Sequence, residues 1–289
     1  MRIAVVFHAL HRREEVESNH AISLIADIWR RAGHEVRFLI GCDEQWDADV
    51  AIVHVDLSVV PGRYIRFARR YPAAVNHRIA DIRKTRISRN LVARGSSYDG
   101  PVIVKTNLNS SGIPERVLLP RGRGHRLRRW IMRKGPETPV EFVKRYSVHE
   151  SVSSIPGETL QRPGIVIEKF TPETDGRWYF IRRCFGLGSR TISYRMGETQ
   201  PIVDGGDPSV FEWLDDDPRV LAMRKSIGLD YGVLDYVVRD GEVVLLDVTK
   251  TPGRANPPDA ISRERYERII SHVATGIEGF DGPASGANQ

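Results

Sequence analysis

Asp235 and Asp247 are the first residues in this chain that could do chemistry. They lie in the stretch Tyr231 to Arg254, YGVLDYVVRDGEVVLLDVTKTPGR, each flanked by apolar residues that read as buried strand. A carboxylate on such a strand is costly to bury unless something pairs with it. A divalent cation is a natural partner for two aspartates, with Thr249 as a neighbouring oxygen donor. The alternative is one structural aspartate and one at a sheet edge. Register separates the two. A strict two-residue turn at Asp240-Gly241 pairs Asp235 with Leu246 and sends Asp247 to the opposite face. The site therefore requires an odd loop, Arg239-Asp240-Gly241, with Gly241 in a bulge. Leu234, Tyr236, Val238, Val244, Leu246 and Val248 would then form the apolar face, by period-two alternation.

Basic residues supply the complementary charge. Gly100 to Asn107, GPVIVKTN, is an apolar strand carrying Lys105 near its end, followed by the polar turn Asn109, Ser110, Ser111 and Gly112. An ammonium and turn N–H groups in that order can surround phosphate oxygens. Trp178 to Phe185, WYFIRRCF, is a strand that puts Arg182 and Arg183 on opposite faces, so one should face a cleft. Arg195, after the next strand, is another candidate. Arginine there would hold a transferring phosphoryl group or a substrate carboxylate. Arg121 to Gly135, RGRGHRLRRWIMRKG, holds seven Arg or Lys and no acid. It reads as a solvated loop, a cationic flap over an anionic substrate, or a nucleic-acid contact.

The elements that position these residues follow a mixed pattern. Ile3 to Phe7, Val36 to Ile40, Val50 to Val55 and Ala73 to Val75 read as strands. Glu17 to Ala32 and residues 62 to 70 read as helices between them, which predicts a small parallel sheet covered on both faces. No G-x-G-x-x-G opens the first turn, so a dinucleotide site has no support. His8, His11 and His20 fall near the ligand-binding edge of such a sheet, but scattered surface histidines are the expectation. Asp81 to Leu91 is expected to be a basic helix, and Asp204 to Asp217 a Gly- and Asp-rich loop. Pro218 to Ile227 and Ser262 to Gly276 read as further helices.

Three segments in one order resemble the ATP-grasp superfamily, such as glutathione synthetase, D-alanine–D-alanine ligase and the glutamate ligases. They are the Pro101 to Lys105 strand with its turn, Glu168-Lys169-Phe170, and the hairpin followed by Thr251-Pro252-Gly253. Thr249 stands where those families usually have Asn. The resemblance implies an α/β and α+β fold: a small Rossmann-like preATP-grasp domain at 1–80, then a two-lobed ATP-grasp fold at 81–278. Its smaller lobe would span about 100–170 and its sheet lobe 171–278, leaving a frayed tail at 279–289. It also implies that Lys84 and Lys105 reach ATP phosphates under the loop Ser110, Ser111 and Gly112. Glu168, Lys169 and Phe170 would form the adenine hinge, and Glu173 or Asp175 would grip the ribose. Asp235, Asp247 and Thr249 would hold Mg²⁺. The implied activity is ATP-dependent joining of a carboxylate to an amine through an acyl phosphate, on small-molecule or peptide substrates. A phosphotransferase, or a nucleotide binder without turnover, are the alternatives.

Composition agrees with a globular chain. Of 289 residues, 28% are charged and 40% apolar, with net charge +6, which favours anionic ligands. Cys42 and Cys184 are the only cysteines and lie outside any C-x-x-C. That fits a reducing cytoplasm and excludes a cysteine-rich zinc site. The opening MRIAVVFHAL is too short an apolar run for a signal peptide, and no run approaches a membrane span. Nucleic acid is not the expected partner, and a homodimer is one open option for assembly.

Overall fold

The computed structural model describes residues 1–118, 146–203 and 208–280. The basic run at 121–135 and the tail from 281 onward lie outside them. Among the described residues, no helix is long and apolar enough to cross a membrane.

Strands β1 (Arg2–Phe7), β2 (Glu35–Ile40), β3 (Val50–Val53) and β4 (Ala73–Val75) form a parallel sheet in the order β2-β1-β3-β4. Alternation along β1 assigns its two faces. Ile3, Val5 and Phe7 share a core with Ile22, Ile25 and Trp29, whereas Ala4 and Val6 share another with Tyr64, Ile65 and Phe67. Helix α2 (Ala21–Arg31) thus covers one face and α3 (Gly62–Ala68) the other. The single helix expected over Glu17 to Ala32 is instead α1 (Arg13–Ser18) and α2, parted at Asn19 and His20. Distant backbone causes the break. His20 bridges Gly253, the Ala21 N–H donates to the Pro252 carbonyl, and the Arg254 N–H donates to the Asn19 carbonyl.

The basic stretch Asp81 to Leu91 is helical only over one turn, α4 (Lys84–Ile87). Tertiary backbone pairing draws the rest away from the helix: Lys84 N–H bonds the Asn107 carbonyl, and Leu91 bridges Glu168. A three-stranded antiparallel sheet follows, with β5 (Val102–Thr106) between β6 (Ser147–His149) and β7 (Ile165–Lys169). Short helices α5 (Ile113–Val117) and α6 (Gly157–Leu160) flank it.

The largest sheet runs β11-β10-β9-β12-β13, with β8 (Glu173–Thr174) added to β9 (Tyr179–Leu187). The others are β10 (Arg190–Glu198), β11 (Val210–Leu214), β12 (Tyr231–Arg239) and β13 (Glu242–Thr249). Strand β11 lies within the segment expected to be a loop. Helix α7 (Pro218–Ile227) contributes Val220 to the core on one face, and α8 (Ala260–Ala274) covers the other. Ile269, Ile270 and Val273 of α8 join the core of β1 and α2, and the Trp29 indole N–H donates to the Ala274 carbonyl at 2.8 Å. One apolar core therefore runs from the parallel sheet into the largest sheet.

The hairpin corrects the expected loop. Arg239 pairs with Glu242, so the turn is the two residues Asp240 and Gly241, at φ 51° and 79°. Two positive φ values make a turn whose twist matches the strands. The odd residue sits inside β13 instead. Asp235 faces Asp247 and Tyr236 faces Leu245, leaving Leu246 as a bulge. The bulge returns both aspartates to one face. It also changes the apolar face, which carries Val243 and Leu245 with Leu234, Tyr236, Val238 and Val248, rather than Val244 and Leu246.

Candidate active site

A cleft of about 180 Å³ opens between the three-stranded sheet and the largest sheet. Ile103, Lys105, Glu168 and Phe170 line one side, and Phe180, Arg183, Asp235, Leu246 and Asp247 the other. Strand alternation explains the second group: Asp235 of β12 lies between Arg183 of β9 and Asp247 of β13 in register.

Each carboxylate in this row meets a cation. Asp247 accepts from Lys84 Nζ at 2.6 Å, and Asp235 from Arg183 Nε at 2.9 Å. Lys105 Nζ lies 2.8 Å from Glu168 Oε2 and 3.5 Å from the carbonyl of the bulged Leu246. Lys84, Lys105 and Glu168 are buried. Burial works against the Lys84 ammonium, but Asp247 and the other nearby acids hold its pKa above the ordinary value. Burial raises the Asp235 carboxyl, and nearby Asp247 adds to the rise, while Arg183 opposes it. Arg183 is itself held more firmly charged by Asp235 and Tyr194, although burial opposes its charge.

Metal ligation is a question of which oxygens remain. Asp235 Oδ1 accepts from Arg183, and Asp247 Oδ1 accepts from Lys84 and from the Val248 N–H. The two carboxylates face one another across the strand pair and can offer further lone pairs to a cation. Among the described residues no three His, Cys, Asp or Glu side chains converge as a metal set. Mg²⁺ commonly takes one or two carboxylates and completes its shell with phosphate oxygens and water, so this pair suits it. Thr249 lies one step along, opposite Val233, and lines two neighbouring cavities rather than the cleft.

Other expected residues divide. Lys169 and Phe170 line the cleft, but their N–H groups already donate to the Asn90 and Pro101 carbonyls. The buried polar atoms without a partner at this edge are Glu168 Oε1 and the Thr171 hydroxyl. Glu173 accepts from Arg182, Arg195 and the Val238 N–H, so these three expected residues hold one another. Burial would raise the Glu173 carboxyl, but those donors carry it below its usual value. Asp175 is exposed and accepts the Arg177 and Trp178 N–H groups of its own turn. Neither Glu173 nor Asp175 lines the cleft. Ser110, Ser111 and Gly112 all have left-handed φ, at 46°, 56° and 71°, which for the two serines is strained backbone. Ser110 lines a neighbouring cavity, while Ser111 bonds Tyr146, whose ring lines the cleft.

Two further cavities follow from the cleft, one beyond the other. One of about 300 Å³ shares Arg183 and Asp235 with it. Another of about 360 Å³ shares Thr249 and Gly253 with the second. His11 and His20 line this third space. The expectation of surface histidines fails: His8 and His20 are buried, and the His11 side chain is 7% exposed. Their rings pack against Tyr64 and Phe7 at the sheet edge, and α1 and the Pro252–Arg254 segment close over that edge. Sequence reasoning missed Tyr146, Thr171, His54 and Asp56. The last two follow β3 at the edge where such sheets bind ligands, which was the available signal.

No family model matches the sequence, and no curated protein does. Among solved structures the chain is similar to a RimK domain ATP-grasp protein from Sphaerobacter thermophilus. That match has TM-score 0.49 and 13% identity, covering 96% of this chain and 100% of that one. These are likenesses of fold. Another is D-alanine–D-alanine ligase from Bacillus anthracis, at TM-score 0.45 and 14% identity over 98% of this chain and 100% of that one. A third is macrocyclase MdnC from Microcystis aeruginosa, solved with precursor peptide MdnA, at TM-score 0.46 and 12% identity over 94% and 100%. The reading of the site rests on its own residues.

Proposed function

We propose that this chain is an ATP-grasp enzyme, an ATP- and Mg²⁺-dependent ligase that joins a carboxylate to an amine. The observation that carries the reading is the row of Lys84, Lys105 and Arg183 against Asp247, Glu168 and Asp235 between two antiparallel sheets. Such a row holds cations for phosphate and carboxylates for metal within one cleft.

The residues divide the work. Ile103, Phe170, Ile181 and Leu246 offer apolar walls to a base, with Glu168 Oε1 and the Thr171 hydroxyl at its polar edge. Lys105 supplies a point charge to phosphate. Asp235 and Asp247 would hold Mg²⁺, and the ion would supply neutralisation of phosphate oxygens. Arg183 stands on the border between the cleft and the second cavity, where a γ-phosphoryl group would meet an acceptor carboxylate. The acceptor oxygen attacks phosphorus and ADP leaves. The amine nitrogen then attacks the acyl carbon, phosphate departs with the C–O bonding pair, and the nitrogen loses a proton.

The test is a screen of pooled acids and amines with MgATP, following nucleotides and new masses. The expected result is ADP together with a product of acid plus amine minus water. A phosphorylated acceptor without amide would point to a phosphotransferase. No nucleotide turnover with any pool would remove the enzymatic reading.

A further inference from the structure

Three histidines stand apart from the chemistry of the cleft. His11, His20 and His54 gather round the Phe7 ring at the C-terminal edge of the parallel sheet. The His11 and His20 ring centres are 5.5 Å apart, and those of His20 and His54 are 4.9 Å apart. Both ring nitrogens of His11 and of His54, and Nδ1 of His20, are buried without a hydrogen-bond partner. Glu15 Oε2 lies 4.0 Å from His11 Nδ1, beyond bonding distance. Buried polar atoms are nearly always paired, and a group of five in one place calls for a physical reason. Polar groups brought by a ligand would be one. A metal is a poor fit, because no three such side chains converge as a metal set among the described residues.

The third cavity shows what those groups would belong to. His11 and His20 line it together with the Glu15 and Asp56 carboxylates and the Thr249 and Thr251 hydroxyls. Among the described residues, no lysine or arginine lines it. Burial holds His20 at a pKa of about 4 against the pull of Glu15. His11 and His54 are also lowered, chiefly by burial and then by their histidine neighbours, with Lys250 acting on His54 and Asp56 and Glu15 opposing at His11. At neutral pH the rings are therefore uncharged, each with one acceptor nitrogen and one N–H. Behind them Lys250 is committed to the Leu57 carbonyl, and Asp56 accepts from the Thr251 hydroxyl. Two carboxylates, an acceptor nitrogen on each lining ring and no cation among the described lining residues make the cavity a complement to an ammonium group.

Its position adds a role. The nucleotide cleft, the second cavity and this one follow one another, linked by Arg183 and Asp235 and then by Thr249 and Gly253. We propose that the histidine cavity is an amine site, which takes a primary amine as its ammonium through His11, His20, Asp56 and Glu15. The amine's role as the second substrate, in which the ammonium first gives a proton to a carboxylate of the site to free its lone pair, rests on the ligase reading. The cavity's preference for a cation rests on its own atoms.

The experiment uses the full chain and three simple probes of one length: n-butylammonium, n-butanol and butyrate. Imidazole C–H resonances are followed by NMR in wild type, Asp56→Asn and His11→Gln, with backbone spectra confirming that each variant is folded. Saturable shifts of the His11 and His20 signals with butylammonium alone, weakened tenfold or more in Asp56→Asn, are expected. Absence of such shifts, or a stronger response to butyrate, overturns the proposal. The ligase reading is judged separately in the acid and amine screen. If amide forms while both variants leave the amine KM unchanged, the amine site falls and the ligase stands. If butylammonium binds as described but no pool releases ADP, the ligase falls and the cation site stands.

Discussion

In the cleft between the two antiparallel sheets each of three carboxylates has a cation within 3 Å: Lys84 on Asp247, Arg183 on Asp235, Lys105 on Glu168. At the histidine cavity, a short way along the same hairpin, three ring nitrogens of His11 and His20, with two more on His54 behind them, have no hydrogen-bond partner. The contrast separates two ways of preparing a polar site. Charges cannot be buried alone, so the cleft balances them internally and a ligand must exchange partners with what is already there. Neutral imidazoles can be buried alone at a smaller cost, about 1–3 kcal/mol for each unsatisfied group, so the cavity can keep its ring nitrogens open. The first arrangement suits a highly charged ligand that brings its own counter-ion. The second suits a small one that brings donors.

The largest way to break this comparison is to remove one cation from the cleft. Lys84→Met leaves Asp247 opposite Asp235 with its own counter-charge gone. Breaking a buried pair from one side costs about 3–5 kcal/mol, and the 23% exposure of the Asp247 side chain favours the lower end. Urea denaturation should show this loss, and Lys84→Met with Asp247→Leu should recover most of it. A loss in the single variant below about 1 kcal/mol would mean that the pair is screened like a surface one, and the contrast with the cavity would disappear.

Legibility in the sequence followed the same division. Strand patterns gave the parallel sheet with both faces covered, and period-two alternation placed Asp235 and Asp247 in strands. The bulge at Leu246 was not readable, because Leu245-Leu246 is apolar at either register and only pairing with β12 shows which residue is extra. Lys84 is singled out as a phosphate lysine by resemblance alone, since by its residues the stretch reads as a solvated basic helix. It is buried because Lys84 N–H pairs with the Asn107 carbonyl and its ammonium meets Asp247 across 163 residues of chain. Glu173, Arg182 and Arg195 were visible as charges, but only β8 pairing with β9 reveals that they neutralise one another. The histidines were misjudged for a related reason. Their burial depends on the Thr251 to Arg254 segment returning from the far end of the chain.

A second test concerns the open side of the comparison and uses pH. His20 has its pKa lowered to about 4 in the folded protein, against an ordinary 6.5. The unfolded chain therefore binds more protons between those values, and folding stability falls as pH drops from about 6.5 towards 4. The contribution is fully present above 6.5. His20→Gln should remove a part of this slope on the order of 2 kcal/mol, read as the difference between wild-type and variant stability at pH 7 and at pH 4.5. His8, also at about 4, and His11 and His54 keep the remaining slope in the variant. A wild-type profile flat over this window would show that the rings are hydrated or paired, and the cavity would lose its distinction from the cleft.

The smallest effect is expected at the hairpin turn, and it asks what aligns the charges of the cleft. Gly241 has φ of 79°, a conformation that other residues reach only with strain, yet no atom lies within 4 Å of where its Cβ would be. Gly241→Ala should therefore cost about 1 kcal/mol through backbone strain alone. Asp235 and Asp247 are brought opposite one another by the bulge at Leu246, between the turn and the acids. The variant should then bind MgATP as wild type does in calorimetry while unfolding at slightly lower urea. If Gly241→Ala instead weakens MgATP binding tenfold or more, the turn and not the bulge sets the register of the acids. The ion pairs of the cleft would then depend on the whole hairpin rather than on the few residues around Leu246.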